Sequence, residues 1–154
     1  DGKPIVLADQ ARAVSAAHAA GLTLALAASG PVGCDVEPIV ARPALLWQDL
    51  LGTERYTLAT VLSQETGETQ DQAATRLWAA CECVKKAGVM LQTPLLLASS
   101  NADGWVVLTA GALHIATLIA TVQGVDDQVV LAFLLGNTAA VVQERVCVPT
   151  NTVT

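Results

Sequence analysis

Gly33-Cys34-Asp35-Val36-Glu37 places two carboxylates two residues apart. With Val32 before it and Val36 between the acids, the stretch reads as a strand, whose period of two puts Asp35 and Glu37 on one face. Like charges so close repel unless a cation or a proton sits between them. The second decisive stretch is Trp78-Ala79-Ala80-Cys81-Glu82-Cys83-Val84-Lys85-Lys86. Read as helix, it aligns Trp78, Glu82 and Lys86 at four-residue intervals along one stripe.

Upstream, 22–27 alternates large and small residues as a half-buried strand does, and Ser29-Gly30-Pro31 is a turn signal. The short connection predicts a hairpin between 22–27 and 32–36, with His18 at one end of that sheet. Ile5-Val6-Leu7 reads as a further short strand or an entry segment. Downstream, Pro43 starts a helix through Leu50 that Gly52 closes, and Thr53-Glu54-Arg55 caps and begins another over 54–65, with Tyr56, Leu58, Val61 and Leu62 inward. A long helix over 70–87 follows, with Ala73, Leu77, Ala80 and Val84 on its apolar stripe and Gly88 ending it. Strands are expected over 95–98, 105–109, 113–121 and 129–135, with Asn101-Ala102-Asp103-Gly104 as a hairpin turn. Residues 138–142 suit helix or strand, and the tail over 149–154 reads as loose. This order predicts an α+β fold, a mostly antiparallel sheet with helices packed on one side.

The chain has 154 residues, enough for one domain with a real core, and 53% of them are hydrophobic. Aromatics are only 3%, so that core must be built from Ala, Val and Leu. No apolar run reaches the roughly 20 residues of a spanning helix. The longest, 113–122, contains Thr117 and Thr121 and ends at Gln123-Gly124, as a buried strand would. The amino terminus has no basic region followed by an apolar one, so no signal peptide is expected. The start at Asp1-Gly2-Lys3-Pro4, without an initiator methionine, suggests a piece of a longer polypeptide or a processed or trimmed chain. Cys34, Cys81, Cys83 and Cys147 lack paired zinc spacing and read as reduced, buried thiols of a cytoplasmic protein. A net charge of −6 argues against nucleic-acid binding, which wants a basic face. It also disfavours a polyanionic ligand, unless a metal supplies positive charge locally.

Each acid, lysine and histidine taken alone is ordinary surface chemistry. Their order is not. Ser15-x-x-His18, then Gly33-Cys34-Asp35-Val36-Glu37, then Trp78-Ala79-x-x-Glu82-x-x-x-Lys86 resembles the 4′-phosphopantetheinyl transferases. That family's hallmark is Gly-(Val/Ile)-Asp-(Ile/Val)-Glu, followed by Trp-(Ala/Ser/Thr)-x-Lys-Glu-(Ala/Ser)-x-x-Lys. The resemblance spans about residues 14–88, includes the helix start at Leu51-Gly52-Thr53-Glu54-Arg55, and is strongest to the transferase domain at the carboxyl end of enediyne-type iterative polyketide synthases.

The resemblance implies transfer of the phosphopantetheine arm of coenzyme A to a serine of an acyl carrier protein or carrier domain, releasing adenosine 3′,5′-bisphosphate. It implies Mg2+ on Asp35, Glu37 and Glu82, with catalytic roles for Asp35, Glu82 and Lys86. It further implies coenzyme binding by His18, Ser15 and Lys86, with Lys86 acting on a phosphate as a point charge. Where the family has lysine before the helix glutamate, this chain has Cys81, which cannot bind phosphate. A non-catalytic carrier-docking domain with the same fold is therefore the competing expectation. Since such sites lie between lobes or subunits, the short chain is expected to complete its site by self-association, a trimer being favoured, or else by residues upstream of it.

Overall fold

The computed structural model describes residues 12–91 and 93–135. The expected strand at Ile5-Val6-Leu7, the segment 138–142, Cys147 and the 149–154 tail lie outside these residues.

Strands β1 (Ala13–Ala19) and β2 (Leu22–Ala28) form a two-stranded antiparallel hairpin, in register from Ala13↔Ala28 to Ala19↔Leu22. Its two-residue turn, Ala20-Gly21, has positive φ at both positions (51° and 75°), which matches the twist of the flanking strands. The pairing expected between 22–27 and 32–36 is therefore overturned. Pro31 after the turn-like Ser29-Gly30 has no N–H for a ladder, and the chain crosses there to a second sheet.

That sheet is five-stranded and antiparallel throughout. It comprises β3 (Cys34–Pro38), β4 (Leu96–Ser100), β5 (Trp105–Ala110), β6 (Leu113–Ala120) and β7 (Val129–Leu135), in the order β3-β7-β6-β5-β4. Asn101 closes the β4–β5 turn as expected, its Oδ1 accepting from the backbone N–H groups of Asp103 and Trp105.

Helix α1 (Ala44–Thr66) comprises the two helical pieces expected here, parted at Gly52, whose φ of 74° and ψ of 164° lie outside the helical range. In its second half Ala59 and Leu62 are the buried positions, whereas Val61, expected inward, is 39% exposed. Helix α2 (Gln70–Lys86) begins with a capping box, in which Gln72 N–H donates to Thr69 Oγ1 and Thr69 N–H to Gln72 Oε1. Lys85 and Lys86 occupy its last turn, where cations complement the helix dipole.

Both helices pack on one face of the large sheet, as expected. Leu51, Leu62, Leu77 and Val84 meet Val106, Leu108, Ile115, Val130, Ala132 and Leu134 in the main core. A smaller cluster, centred on Ala17, Val36 and Val129, seats the β1–β2 hairpin against the β3–β7 edge on the sheet's other face. The molecule is α+β. Among the described residues no helix is long and apolar enough to cross a membrane.

Candidate functional site

Register decides which way β3 points its acids. Asp35 pairs with Ala132 and Glu37 with Val130, and those partners lie in the core beneath the helices. Cys34 and Val36, half a period away, face the hairpin, where Cys34 Sγ contacts Leu24 O and Val36 packs with Ala17. Alternation thus sends the carboxylates toward α2.

Gly33 sets how close they come. A Cβ at this position would stand 2.1 Å from the carbonyl oxygen of Cys83, so only glycine lets β3 touch the last turns of α2. Its own carbonyl accepts from Leu134 N–H, which holds it to β7. With the strand so placed, the Trp78-Glu82-Lys86 stripe lies over the acids. Lys86 Nζ donates to Asp35 Oδ1 at 2.5 Å, and Trp78 Nε1 donates to Glu37 Oε1 at 3.2 Å. Eight helical residues rise about 12 Å and two strand residues about 7 Å. The long side chains of Trp78 and Lys86 close that difference.

Glu82 lies between these two contacts. Its Oε1 receives Lys85 Nζ at 3.4 Å on the outer side, while its charge is felt by Asp35. The Asp35 side chain is 4% exposed and that of Lys86 34%, so the ammonium reaches water and the carboxylate does not. Asp35 Oδ2 is buried without a hydrogen-bond partner. Burial pushes the Asp35 carboxyl above its ordinary range; the bond and charge of Lys86 oppose this, Glu82 adds to it, and a hydrogen bond shared with Glu37 holds it down while raising Glu37. Glu37 is raised as well, by burial first and then by the charge of Asp35, with the Trp78 bond opposing. The cluster therefore lacks positive charge, and a proton or a cation at Asp35 Oδ2 would relieve it. Among the described residues, however, no three His, Cys, Asp or Glu side chains are gathered as a ready metal cage.

The remaining expected residues stand elsewhere. Ser15 is buried, and its Oγ accepts from the backbone N–H of Cys34 at 3.1 Å, which ties β1 to the head of β3. His18 is exposed near the Ala20-Gly21 turn, where Nδ1 and Thr23 Oγ1 share a 3.0 Å hydrogen bond. The structure thus joins Asp35, Glu37, Trp78 and Lys86, sets Glu82 beside them, and leaves His18 on the hairpin. Cys34, Cys81 and Cys83 are free thiols, all raised by burial, Cys83 to about 12.

Two concavities flank Trp78. One of about 270 Å³ is lined by Glu37, Pro38, Arg42, Trp47, Leu50 and Thr75. Arg42 stacks 5.2 Å from the Trp47 ring centre, and Asp71 Oδ1 accepts from both Trp47 Nε1 and Arg42 N–H. This Arg42-Trp47-Asp71 grouping joins three segments and has no local sequence signal. The other, about 420 Å³, runs past Cys81, Glu82 and Lys85 to Arg55, Met90 and Leu91.

Fold and site together define an α+β domain with a buried, charge-deficient carboxylate pair held against a helix lysine. Compared with known proteins, the chain matches no family model and no curated protein.

Proposed function

We propose that the chain transfers the 4′-phosphopantetheine group of coenzyme A to a serine of an acyl carrier protein or carrier domain, as its resemblance to the 4′-phosphopantetheinyl transferases implies. One observation carries the reading: the buried Asp35 carboxyl, held by Lys86 at Oδ1 and crowded by the carboxyls of Glu37 and Glu82. This is hard-oxygen chemistry suited to magnesium, an ion that takes one or two carboxylates and completes its octahedron with water and substrate phosphate. Asp35 is the primary ligand in this reading, with Glu37 and Glu82 beside it. When bound, magnesium would supply the positive charge that a pyrophosphate needs in a chain of net charge −6.

In the reaction the acceptor serine Oγ forms a bond to the phosphorus that carries the pantetheine arm. The bond from that phosphorus to the bridging oxygen breaks, and adenosine 3′,5′-bisphosphate leaves with the electron pair. Such transfers depend on positioning and electrostatics. Lys86, partly exposed, offers its ammonium to a phosphate oxygen. Glu82, at the rim of the larger concavity, accepts the serine proton directly or through one water. A second copy, in a trimer by the resemblance, would complete the wall facing the coenzyme, and the reading places the protein in the cytoplasm.

The test is incubation of the chain with coenzyme A, magnesium and an apo carrier protein, followed by intact mass. The expected result is one phosphopantetheine added per carrier, lost when the carrier serine is replaced. No mass gain on any plausible carrier, including carrier domains of a parent synthase, overturns the reading. Carrier binding without transfer would support the docking-domain alternative, which the absence of lysine at Cys81 favours.

A further inference from the structure

The concavity that takes in Glu82 is lined by Lys85, which pairs with Glu82, and not by Lys86, and Cys81 brings it no charge from α2. Across the groove, Arg55 stands in the first turn after the Gly52 break in α1. It is half-buried, and among the described residues no carboxylate forms an ion pair with it. Arg55 lines the concavity of about 420 Å³ that also takes in Cys81, Glu82 and Lys85. Its charge is felt at Cys81, the residue before Glu82. The same side chain borders an adjoining concavity of about 470 Å³ beside Thr53 and Thr93, so the groove continues past it. A guanidinium partly removed from water, with a planar fork of donors and no ion pair to a described carboxylate, is matched to a phosphate or carboxylate.

We propose that Arg55 is the anion clamp of this groove, binding the phosphate chain of the substrate next to Glu82. It supplies from α1 the positive charge that Cys81 does not supply from α2. The identity of the phosphate compound rests on the transferase reading; the anion site does not. An anion held between Arg55 and the Lys85-Glu82 turn lies beside Glu82, whose charge is felt at Asp35, in a chain whose net negative charge would otherwise repel it.

The experiment measures calorimetric binding of inorganic pyrophosphate and of coenzyme A, with magnesium present. The proteins are the unaltered chain, Arg55→Ala, Arg55→Lys and the double variant Arg55→Ala/Cys81→Lys, each checked for folding by thermal melting. Arg55→Ala should weaken both ligands about tenfold or more, as expected for loss of a charge-assisted contact, and Arg55→Lys by less. Cys81→Lys in the Arg55→Ala background should restore at least half of the lost binding free energy. In transfer assays the Arg55→Ala effect should fall on KM for coenzyme A more than on kcat. Unchanged pyrophosphate binding by folded Arg55→Ala overturns the clamp, as does absence of pyrophosphate binding by the unaltered chain or failure of the double variant to recover. If binding follows the expected pattern while no carrier is modified, the clamp stands and the transferase reading fails.

Discussion

Lys86 Nζ and Asp35 Oδ1, 2.5 Å apart, bridge the last turn of α2 to the second residue of β3. The contact closes a path from the capping box of α2 to the β3–β7 edge, and it leaves the other oxygen of the same carboxylate without a partner. One end of Asp35 is structural and the other is available for chemistry.

Substitutions should separate those two ends. Lys86→Ala strands a buried carboxylate, but Asp35 can take up a proton and the ammonium was already partly solvated. The stability loss should therefore stay near 1 kcal/mol rather than reach that of a fully buried pair. Transfer should fall about a hundredfold or more, as when a positioned charge is removed from a phosphoryl site. Asp35→Asn removes a costly buried charge, so melting at neutral pH should hold or rise while magnesium-dependent transfer disappears. Full transfer by Asp35→Asn would remove Asp35 from the metal assignment.

The raised carboxyls make stability depend on pH with a definite sign. Asp35 and Glu37 start from ordinary values of 3.8 and 4.5, and both titrate higher in the fold. Between the unfolded and folded values the native state holds more protons, so stability falls as pH rises through that window. The penalty is absent below the ordinary values and complete above the folded ones. Without divalent ions, the melting temperature of the unaltered chain should fall relative to that of Glu37→Gln as pH is raised from about 4 to about 7. Magnesium should recover the difference at the neutral end and have little effect at the acid end, because it requires ionised ligands. Parallel pH curves for the two proteins would show that the pair is not charge-deficient.

Much of this arrangement could be read in sequence, and the parts that could not share a cause. Val129–Leu135 was readable to the residue, being an apolar run bounded by Asp126-Asp127 and Gly136. Helix α2 was readable because Gly67 and Gly88 bracket it. The shared face of Asp35 and Glu37 and the Trp78-Glu82-Lys86 stripe follow from periods of two and four, which are local properties. Strand partners are not local. Ser29-Gly30-Pro31 resembles a hairpin turn more than Ala20-Gly21 does, yet Ala20 accepts a left-handed conformation and the hairpin closes there. The partner of β3 lies at the far end of the described chain. Val61 sits one residue from Leu62, at the margin of the buried line that Ala59 and Leu62 define, and apolar periodicity alone does not separate the two. At the site, the motif names Gly33 but not its distance from Cys83, and Ser15 shows no sign in sequence of bonding the Cys34 amide.

Gly33→Ala tests whether that close approach sets the site. The added Cβ meets a backbone oxygen at the end of a packed helix, which cannot swing aside as a side chain could. β3 or α2 must shift, at a cost of roughly 1–3 kcal/mol as for overpacked cores. The shift lengthens Lys86–Asp35, so transfer should drop even at temperatures where the variant is fully folded. A Gly33→Ala protein with unaltered melting and transfer would show that β3 does not need glycine to hold its acids.

Arg76 gives the prediction furthest from the site. It is 1% exposed, and its guanidinium is fully engaged: Nε and Nη2 donate to the two Glu68 oxygens at 2.9 and 2.6 Å, Nη1 to Thr117 O and Oγ1, and Nη2 to Gly104 O. The network ties α2 to the β5–β6 side of the sheet, as Lys86 ties its end to β3. Nothing local reveals it, since Arg76 falls beside Leu77 on a helix and its carboxylate comes from the turn before Thr69. Arg76→Ala leaves Glu68 and three backbone or hydroxyl acceptors without their donor, and should cost about 3–5 kcal/mol in urea unfolding. Glu68→Gln keeps the contacts to Thr117 and Gly104 and should cost about 1–2 kcal/mol. Glu68→Gln should also leave KM for coenzyme A unchanged, because it touches neither the carboxylate site nor the Arg55 groove. Equal losses from the two variants would mean that the ion pair itself, rather than the tie to the sheet, carries the stabilisation.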